Sequence, residues 1–305
     1  MSGKPIVHSA SSRLLSAMAL LLKAKRAGSV PAAIFFVLFF TLFSLLGSVF
    51  LSVGTGNPVN KVTHSLLSSQ SFKTDSGTYF VSKALESAKG DERALLLKKG
   101  PQISQTVTSI LSNPIFKSEI DQISNIAYTY YTSGNQTKQT IDVKPVVQLA
   151  LLGLEAVDPQ FRQLNKELVK IKPITLKPQT NGPSASKVKS NFKLGVLVLL
   201  LLSLLTLGLY LLFAKSAKAA LRTIGIVLLS EGFFLVVIEV VASAVVKSQA
   251  TKATESLARE AIPIGAHPLL APLTSVGIVE LLLGGVLLAL SYVSTRGKPA
   301  VTTNP

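Results

Sequence analysis

Three carboxylates lie inside long apolar stretches: Glu231 and Glu239 in one, Glu280 in another. A charged group at mid-bilayer costs roughly 2.5–3.5 kcal/mol on insertion scales, and such residues mark proton relays, ion paths or polar helix contacts. On a helix, Glu231 and Glu239 are turned about 80° apart and separated by about 12 Å along the axis, so one protein-facing surface can hold both. Counted inward from the outer ends of their stretches, Glu239 and Glu280 reach similar depths, and the spacing predicts that these two meet. No Lys or Arg lies within the stretches to pair with them, so desolvation and mutual repulsion favour the neutral acid. One reading is a proton or cation relay, or a polar docking face for a partner helix. The other is three neutral acids, hydrogen-bonded to Ser230, Ser243, Ser275 or backbone, that hold a helix bundle together.

The elements that must position these groups are four apolar runs, at residues 31–53, 194–214, 223–246 and 273–293. Each is long enough to cross a hydrocarbon core of ~30 Å, which takes roughly 20 helical residues. Lipid offers the backbone no partners, so a crossing segment must be helical. Gly284-Gly285, with Gly277 and Ser291, gives the fourth run a small-residue surface for close packing, and Ser203 and Gly208 do the same less clearly in the second. His267-Pro268 and Pro272 are expected to cap the outer end of the fourth span, after a short outer loop at 247–272. The expected fold is an all-α membrane protein of four transmembrane helices, with a mainly helical extracytoplasmic domain at 54–193 between helices 1 and 2.

Orientation follows from basic residues near span ends. Lys4, Arg13, Lys23, Lys25 and Arg26 precede the first span, Lys215, Lys218 and Arg222 join the second and third, and Arg296 and Lys298 follow the fourth; no acid dilutes any of these groups. In 247–272, Lys247, Lys252 and Arg259 are diluted by Glu255 and Glu260. Both termini are therefore expected in the cytoplasm, with 54–193 and 247–272 outside the plasma membrane. Residues 1–30 read as a cytoplasmic segment whose Val7, Leu14, Leu15, Met18, Leu21 and Leu22 form a separate amphipathic helix on the inner leaflet. Residues 294–305 read as a cytoplasmic tail.

Several function classes are excluded or disfavoured by composition. With no Cys in 305 residues, there is no disulfide, thiolate nucleophile or thiolate zinc site. The three histidines, His8, His64 and His267, are too scattered for a metal cage. No G-x-S-x-G, P-loop, H-E-x-x-H or G-x-G-x-x-G occurs. Neither an enzyme nor a cofactor is expected. The net charge of +16 would suggest nucleic acid in a soluble chain, but residues 54–193 carry 18 Lys/Arg against 10 Asp/Glu in a dispersed pattern. Anionic lipid or an acidic wall polymer fits that surface better than nucleic acid.

Within 54–193 the pattern is helical. Pro101 is expected to start a helix through Ile103, Val107, Ile110 and Leu111. Asn113-Pro114 supplies an N-cap and first-turn proline for a helix burying Phe116, Ile120, Ile123, Ala127 and Tyr130 or Tyr131. Pro145 opens another through Val146, Leu149, Leu152 and Leu154, and a charged helix follows Pro159. Residues 139–144 and 171–177 are expected to pair as a small ribbon, 58–71 and 77–98 carry weaker helical patterns, and 180–190 reads as a linker.

The order of one span, a helical domain and three clustered spans, with Ser112-Asn113-Pro114-Ile115-Phe116, Ile141-Asp142-Val143-Lys144-Pro145-Val146-Val147 and Pro173-Ile174-Thr175-Leu176, resembles a group of uncharacterised four-span integral membrane proteins of actinobacteria and related bacteria. The resemblance covers most of residues 30–293 and implies an envelope location with no assigned activity. This chain lacks the Trp which that group places near the position of Ile120. The expected function is that of a non-enzymatic scaffold, sensor or accessory subunit. Its outer domain would bind an envelope protein or a second copy, with Lys166, Lys170 and Lys172 as contacts for an acidic partner. The rival reading is a small proton- or ion-coupled transporter component using Glu231, Glu239 and Glu280.

Overall fold

Apolar side chains repeated without interruption, and prolines placed at first turns, leave this chain few alternatives to helix. The computed structural model describes residues 7–133, 138–164, 171–176 and 185–293. In order these form α1 (Val7–Val53), α2 (Pro58–Ser68), α3 (Gln70–Ser87), α4 (Gly90–Ser112), α5 (Pro114–Thr132), β1 (Gln139–Ile141) and α6 (Lys144–Val157). A 3-10 turn (Pro159–Leu164), β2 (Ile174–Leu176), α7 (Ala185–Phe213), α8 (Ala217–Thr251) and α9 (Ser256–Val293) complete the chain. Among the described residues the chain is all-helical apart from the ribbon of β1 and β2. Among the described residues, four helices are long and apolar enough to cross a membrane: α1 from Ser29, α7 from Ser186, α8 and α9.

The chain divides into two compact units. The first comprises Met1–Ser48, Leu194–Val237 and Leu273–Pro305, and the second Val49–Lys193 with Ile238–Pro272. In the first, Ala32, Tyr210 and Ala220 form a small buried cluster. Here α8 and α9 approach backbone to backbone, because glycine leaves no Cβ between them. A Cβ on Gly232 would stand 2.5 Å from the Gly277 carbonyl oxygen, and one on Gly284 would stand 2.7 Å from that of Gly225. Gly277 and Gly284 thus use the small-residue surface read from the sequence, whereas Gly285 and Gly208 face open space.

In the second unit Ile103, Leu151 and Leu154 form the main core, packed by Val81, Leu96, Val107, Val147 and Phe161. A second core gathers Tyr130, Ile141 and Leu176. The ribbon pairs antiparallel, Gln139 with Leu176 and Ile141 with Ile174, and the Tyr130 hydroxyl donates to the Leu176 carbonyl at 3.3 Å. Asn113 caps α5 by accepting from the Ile115 N–H, with Pro114 in the first turn, as its sequence predicts.

Several expectations need correction. The N-terminal segment is not a separate helix, since α1 runs unbroken through Pro31; proline removes one backbone donor there without ending the helix. Pro101 likewise lies inside α4, which starts a full three turns earlier at Gly90, and the 77–98 pattern is split by the break before it. On α6 the buried face carries Leu151 and Leu154, leaving Leu152 exposed. Residues 247–272 are mostly helix rather than loop, with α9 containing Pro263, Pro268 and Pro272. Pro268 withdraws the donor that would serve the Ile264 carbonyl, and Ser65 supplies one instead at 2.9 Å. Residues 185–190, read as linker, already belong to α7. Most of the helix expected after Pro159 and the rest of the linker lie outside the described residues.

Candidate functional site

Hydroxyl side chains recur along one side of α1: Thr41, Ser44, Ser48 and Ser52 follow one another at helical spacings of three and four. Residues at those spacings share a face, and an apolar segment that places its hydroxyls there needs polar partners opposite. Ser44, Ser48 and Ser52 are all buried. Within the first unit the partners are two of the sequence-predicted carboxylates. The Ser44 hydroxyl donates to Glu280 Oε1 at 2.6 Å. Thr41 Oγ1 is hydrogen-bonded to Glu231 Oε1 and lies 2.8 Å from the Val37 carbonyl oxygen. Ser48 closes back on its own helix, donating to the Ser44 carbonyl at 2.7 Å.

Glu231 keeps 8% of its surface exposed and Glu280 6%, figures that put both inside the bundle. The second oxygen of each, Oε2, is buried with no donor against it. The two carboxyls are close enough for their charges to interact. Their meeting follows from the glycine crossings. Gly232 opposite Gly277 and Gly225 opposite Gly284 fix an antiparallel register between α8 and α9, and that register brings Glu231 and Glu280 to neighbouring levels. Among the described residues of 29–48, 194–214, 223–237 and 273–293 there is no Lys, Arg or His. The site is therefore acidic, hydroxyl-held and without a cationic partner.

Glu239 does not join it. It belongs to the second unit, where Ser243 on the next turn donates to its Oε1 at 2.8 Å. It lines an open groove of about 460 Å³ with Ser243, Lys247, Pro263, His267 and Leu270. The predicted pairing of Glu239 with Glu280 fails for a geometric reason. Depth was counted from an outer end near 273, but α9 begins at Ser256, so Glu280 lies far deeper along its helix than that count allows. Ser243 was foreseen as a partner, and Thr41 and Ser44 were not. Their signal was present all the same, as a periodic hydroxyl line in the most apolar part of α1.

The acidic-partner contacts are only partly visible. Lys172 is exposed, and Lys166 and Lys170 lie outside the described residues. The second unit also holds a groove of about 500 Å³, whose walls include Phe80, Leu96, Ile103 and Phe161 and whose acids are Asp91 and Glu92. Elsewhere in this unit charged groups pair in the ordinary way of a solvated surface. His64 meets Asp121 at 3.1 Å, and Lys83 meets Glu86 at 3.1 Å and Glu255 at 3.5 Å. A hydrogen bond from the Tyr79 hydroxyl, then the Lys83 charge, holds the Glu255 carboxyl below its usual range. Lys61 donates to the Leu51 and Ser52 carbonyls at 2.9 and 3.0 Å, placing a cation at the negative end of α1.

The chain matches no protein family, no curated protein and no solved structure.

Proposed function

We propose that this chain is a non-enzymatic multi-pass protein of the cytoplasmic membrane, a sensor, scaffold or accessory subunit whose second unit faces outward and binds a partner. One observation carries the reading: α8 and α9 each contribute residues to both units without a break in the helix. A helix is stiff over such lengths, so a shift imposed on it by a bound partner is carried along it as a rigid-body movement. The outward placement rests on the basic residues at the opposite span ends. Kinship with the four-span actinobacterial proteins belongs to the same proposal.

Two experiments test it. The absence of Cys permits single-cysteine mapping without background. Ser87→Cys in the second unit should react with a membrane-impermeant maleimide in intact cells, whereas Ser216→Cys between α7 and α8 should react only after lysis. The opposite pattern reverses the topology and sinks the outward placement. Mild crosslinking in native membranes followed by mass spectrometry should then recover one stoichiometric partner. Charge reversal at Lys166, Lys170 and Lys172 should weaken that recovery if the partner is acidic.

A second reading, a proton- or ion-coupled transporter component, draws support from the donor-free second oxygens of Glu231 and Glu280. Replacing Glu231, Glu239 and Glu280 together by Gln should abolish coupled flux in liposomes under this reading. Flux that survives the triple substitution eliminates it.

A further inference from the structure

The groove of about 500 Å³ in the second unit changes character from floor to rim. Leu96, Ile103, Leu154 and Phe161 form its floor, and all four belong to the unit's main core or pack on it. Ile103 and Leu154 are buried. At the rim stand Ser87, Asp91, Glu92 and Gln160, all exposed. An apolar floor under a few convergent polar groups, at a volume within the usual span of roughly 300–1,000 Å³, is the make-up of a small-molecule site. The charge of the rim then selects the ligand. Residues 54–193 are basic, with 18 Lys/Arg against 10 Asp/Glu, yet among the described residues no cation lines the groove. Lys89 and Arg93 flank the two acids in sequence but lie outside the lining, and Arg93 instead donates to the Leu85 carbonyl at 3.3 Å. Neither Asp91 nor Glu92 enters an ion pair among the described residues. Both sit in the first turn of α4, where the positive end of the helix favours acids. The fold thus tolerates the pair without a cationic side chain and leaves both carboxylates to a ligand.

We propose that this groove binds a small amphiphile made of an apolar body and one cationic nitrogen, a hydrocarbon or aromatic amine. The body displaces water from the floor, and the ammonium stands at the rim, donating charge-assisted hydrogen bonds to Asp91 and Glu92. A carboxylate or phosphate head on the same body meets like charge there and is repelled. The inference goes beyond the readings above, because it needs only the second unit's own fold and holds whichever side of the membrane that unit faces.

The full chain in phosphatidylcholine nanodiscs, which leave both membrane faces open, tests this by equilibrium dialysis against phenylbutylamine, phenylbutanol and phenylbutyrate, with empty discs as the blank. The amine should bind about tenfold more tightly than the carboxylate, with the alcohol between them. Asp91→Asn combined with Glu92→Gln, both at exposed positions, should lower the amine's affinity to that of the alcohol and leave the alcohol unchanged. Ala84→Trp, which places an indole in the groove, should weaken all three. A diazirine derivative of the amine locates the site without any substitution, and its label should fall within the lining segments 80–103 and 154–161. Uptake no greater than by empty discs overturns the proposal, as do equal affinities for amine and carboxylate, amine binding that survives the double substitution, or label outside those segments. Capture of a lysine-rich peptide without uptake of the amine overturns it as well, and makes the groove a protein-docking surface. A reversed cysteine map would sink the outward placement and leave these affinities unchanged, so the two failures are distinct.

Discussion

Glu231 and Glu239 ride on the same helix, yet they illustrate two ways in which a chain accommodates a carboxylate among apolar residues. Glu231 is buried in the first unit, tied to another helix through Thr41 and set beside a second acid. Glu239 lies in the second unit, is tied to Ser243 on its own helix, and borders an open groove with His267 and Lys247. The difference arises from neighbours rather than from the residue. Where α8 and α9 touch through glycine, a carboxyl has no route to water and must find its donors inside. Where the same two helices border a groove, the carboxyl stays half-exposed and its local serine is enough. A buried acceptor deprived of its donor carries the full desolvation penalty, whereas an exposed one recovers it from solvent.

The sharpest way to break this contrast is to separate the two helices. Gly232→Ala places a methyl group 2.5 Å from the Gly277 carbonyl oxygen; a core overpacked in this way loses about 1–3 kcal/mol. Thermal denaturation in detergent should show that loss, while Gly285→Ala, with nothing within 4 Å of its Cβ, should stay within about 0.5 kcal/mol of the parent. Equal effects would mean the crossing is not where the close approach places it.

Next in size is removal of the donors. Ser44→Ala leaves Glu280 with neither oxygen served and should cost about 1–3 kcal/mol. Ser243→Ala, beside half-exposed Glu239, should cost less than about 1 kcal/mol. Melting curves of the two variants side by side sharpen the comparison, and a larger loss for Ser243→Ala would invert it.

In the second unit, Gly77→Ala tests whether α3 and α4 are packed as tightly as the glycine crossing of α8 and α9. A Cβ there would stand 2.4 Å from the Ser104 carbonyl oxygen, and a loss of about 1–3 kcal/mol is expected. Limited proteolysis of the variant should cut first within residues 49–193 if the damage is local.

The smallest effect belongs to the exposed charges. Glu255 is held below the usual carboxylate range, first by the Tyr79 hydroxyl and then by Lys83. Its contribution is present above the carboxylate's unfolded pKa and fades as pH falls through the lower, folded value. Lys83 is shifted upward, first by its hydrogen bond to Glu86 and then by the Glu255 charge, so its contribution fades only as pH rises through that higher value. Melting temperature against pH should slope gently at both extremes. Glu255→Gln should flatten the acid limb, and Lys83→Ala the alkaline one. A steep acid limb that survives Glu255→Gln would assign it to another group.

Much of this architecture is legible in the residues alone. Four apolar runs of spanning length can be little but helices, because backbone polar groups need partners that lipid withholds. Asn113-Pro114 starts α5 because a side-chain acceptor and a residue lacking N–H suit the first turn. The ribbon, the small-residue face with Gly277 and Gly284, and the candidacy of Glu231 and Glu280 are readable in the same way, since each follows from local chemistry or one helix's periodicity. Pairing is different, because it depends on where two helices cross. The sequence could not place Glu280 against Glu231 rather than Glu239, for α9 continues through three prolines that look like a boundary. At Pro268 only the tertiary structure shows what is put in place of the lost bond: a serine from α2 donates to the Ile264 carbonyl that the proline leaves unserved. Nor could it show which hydroxyl meets which acid, since that is settled by the register that glycine contact imposes on α8 and α9. Composition determined that the chain is helical and suited to a membrane, and the close approach of helices distant in sequence decided which of its acids stand together.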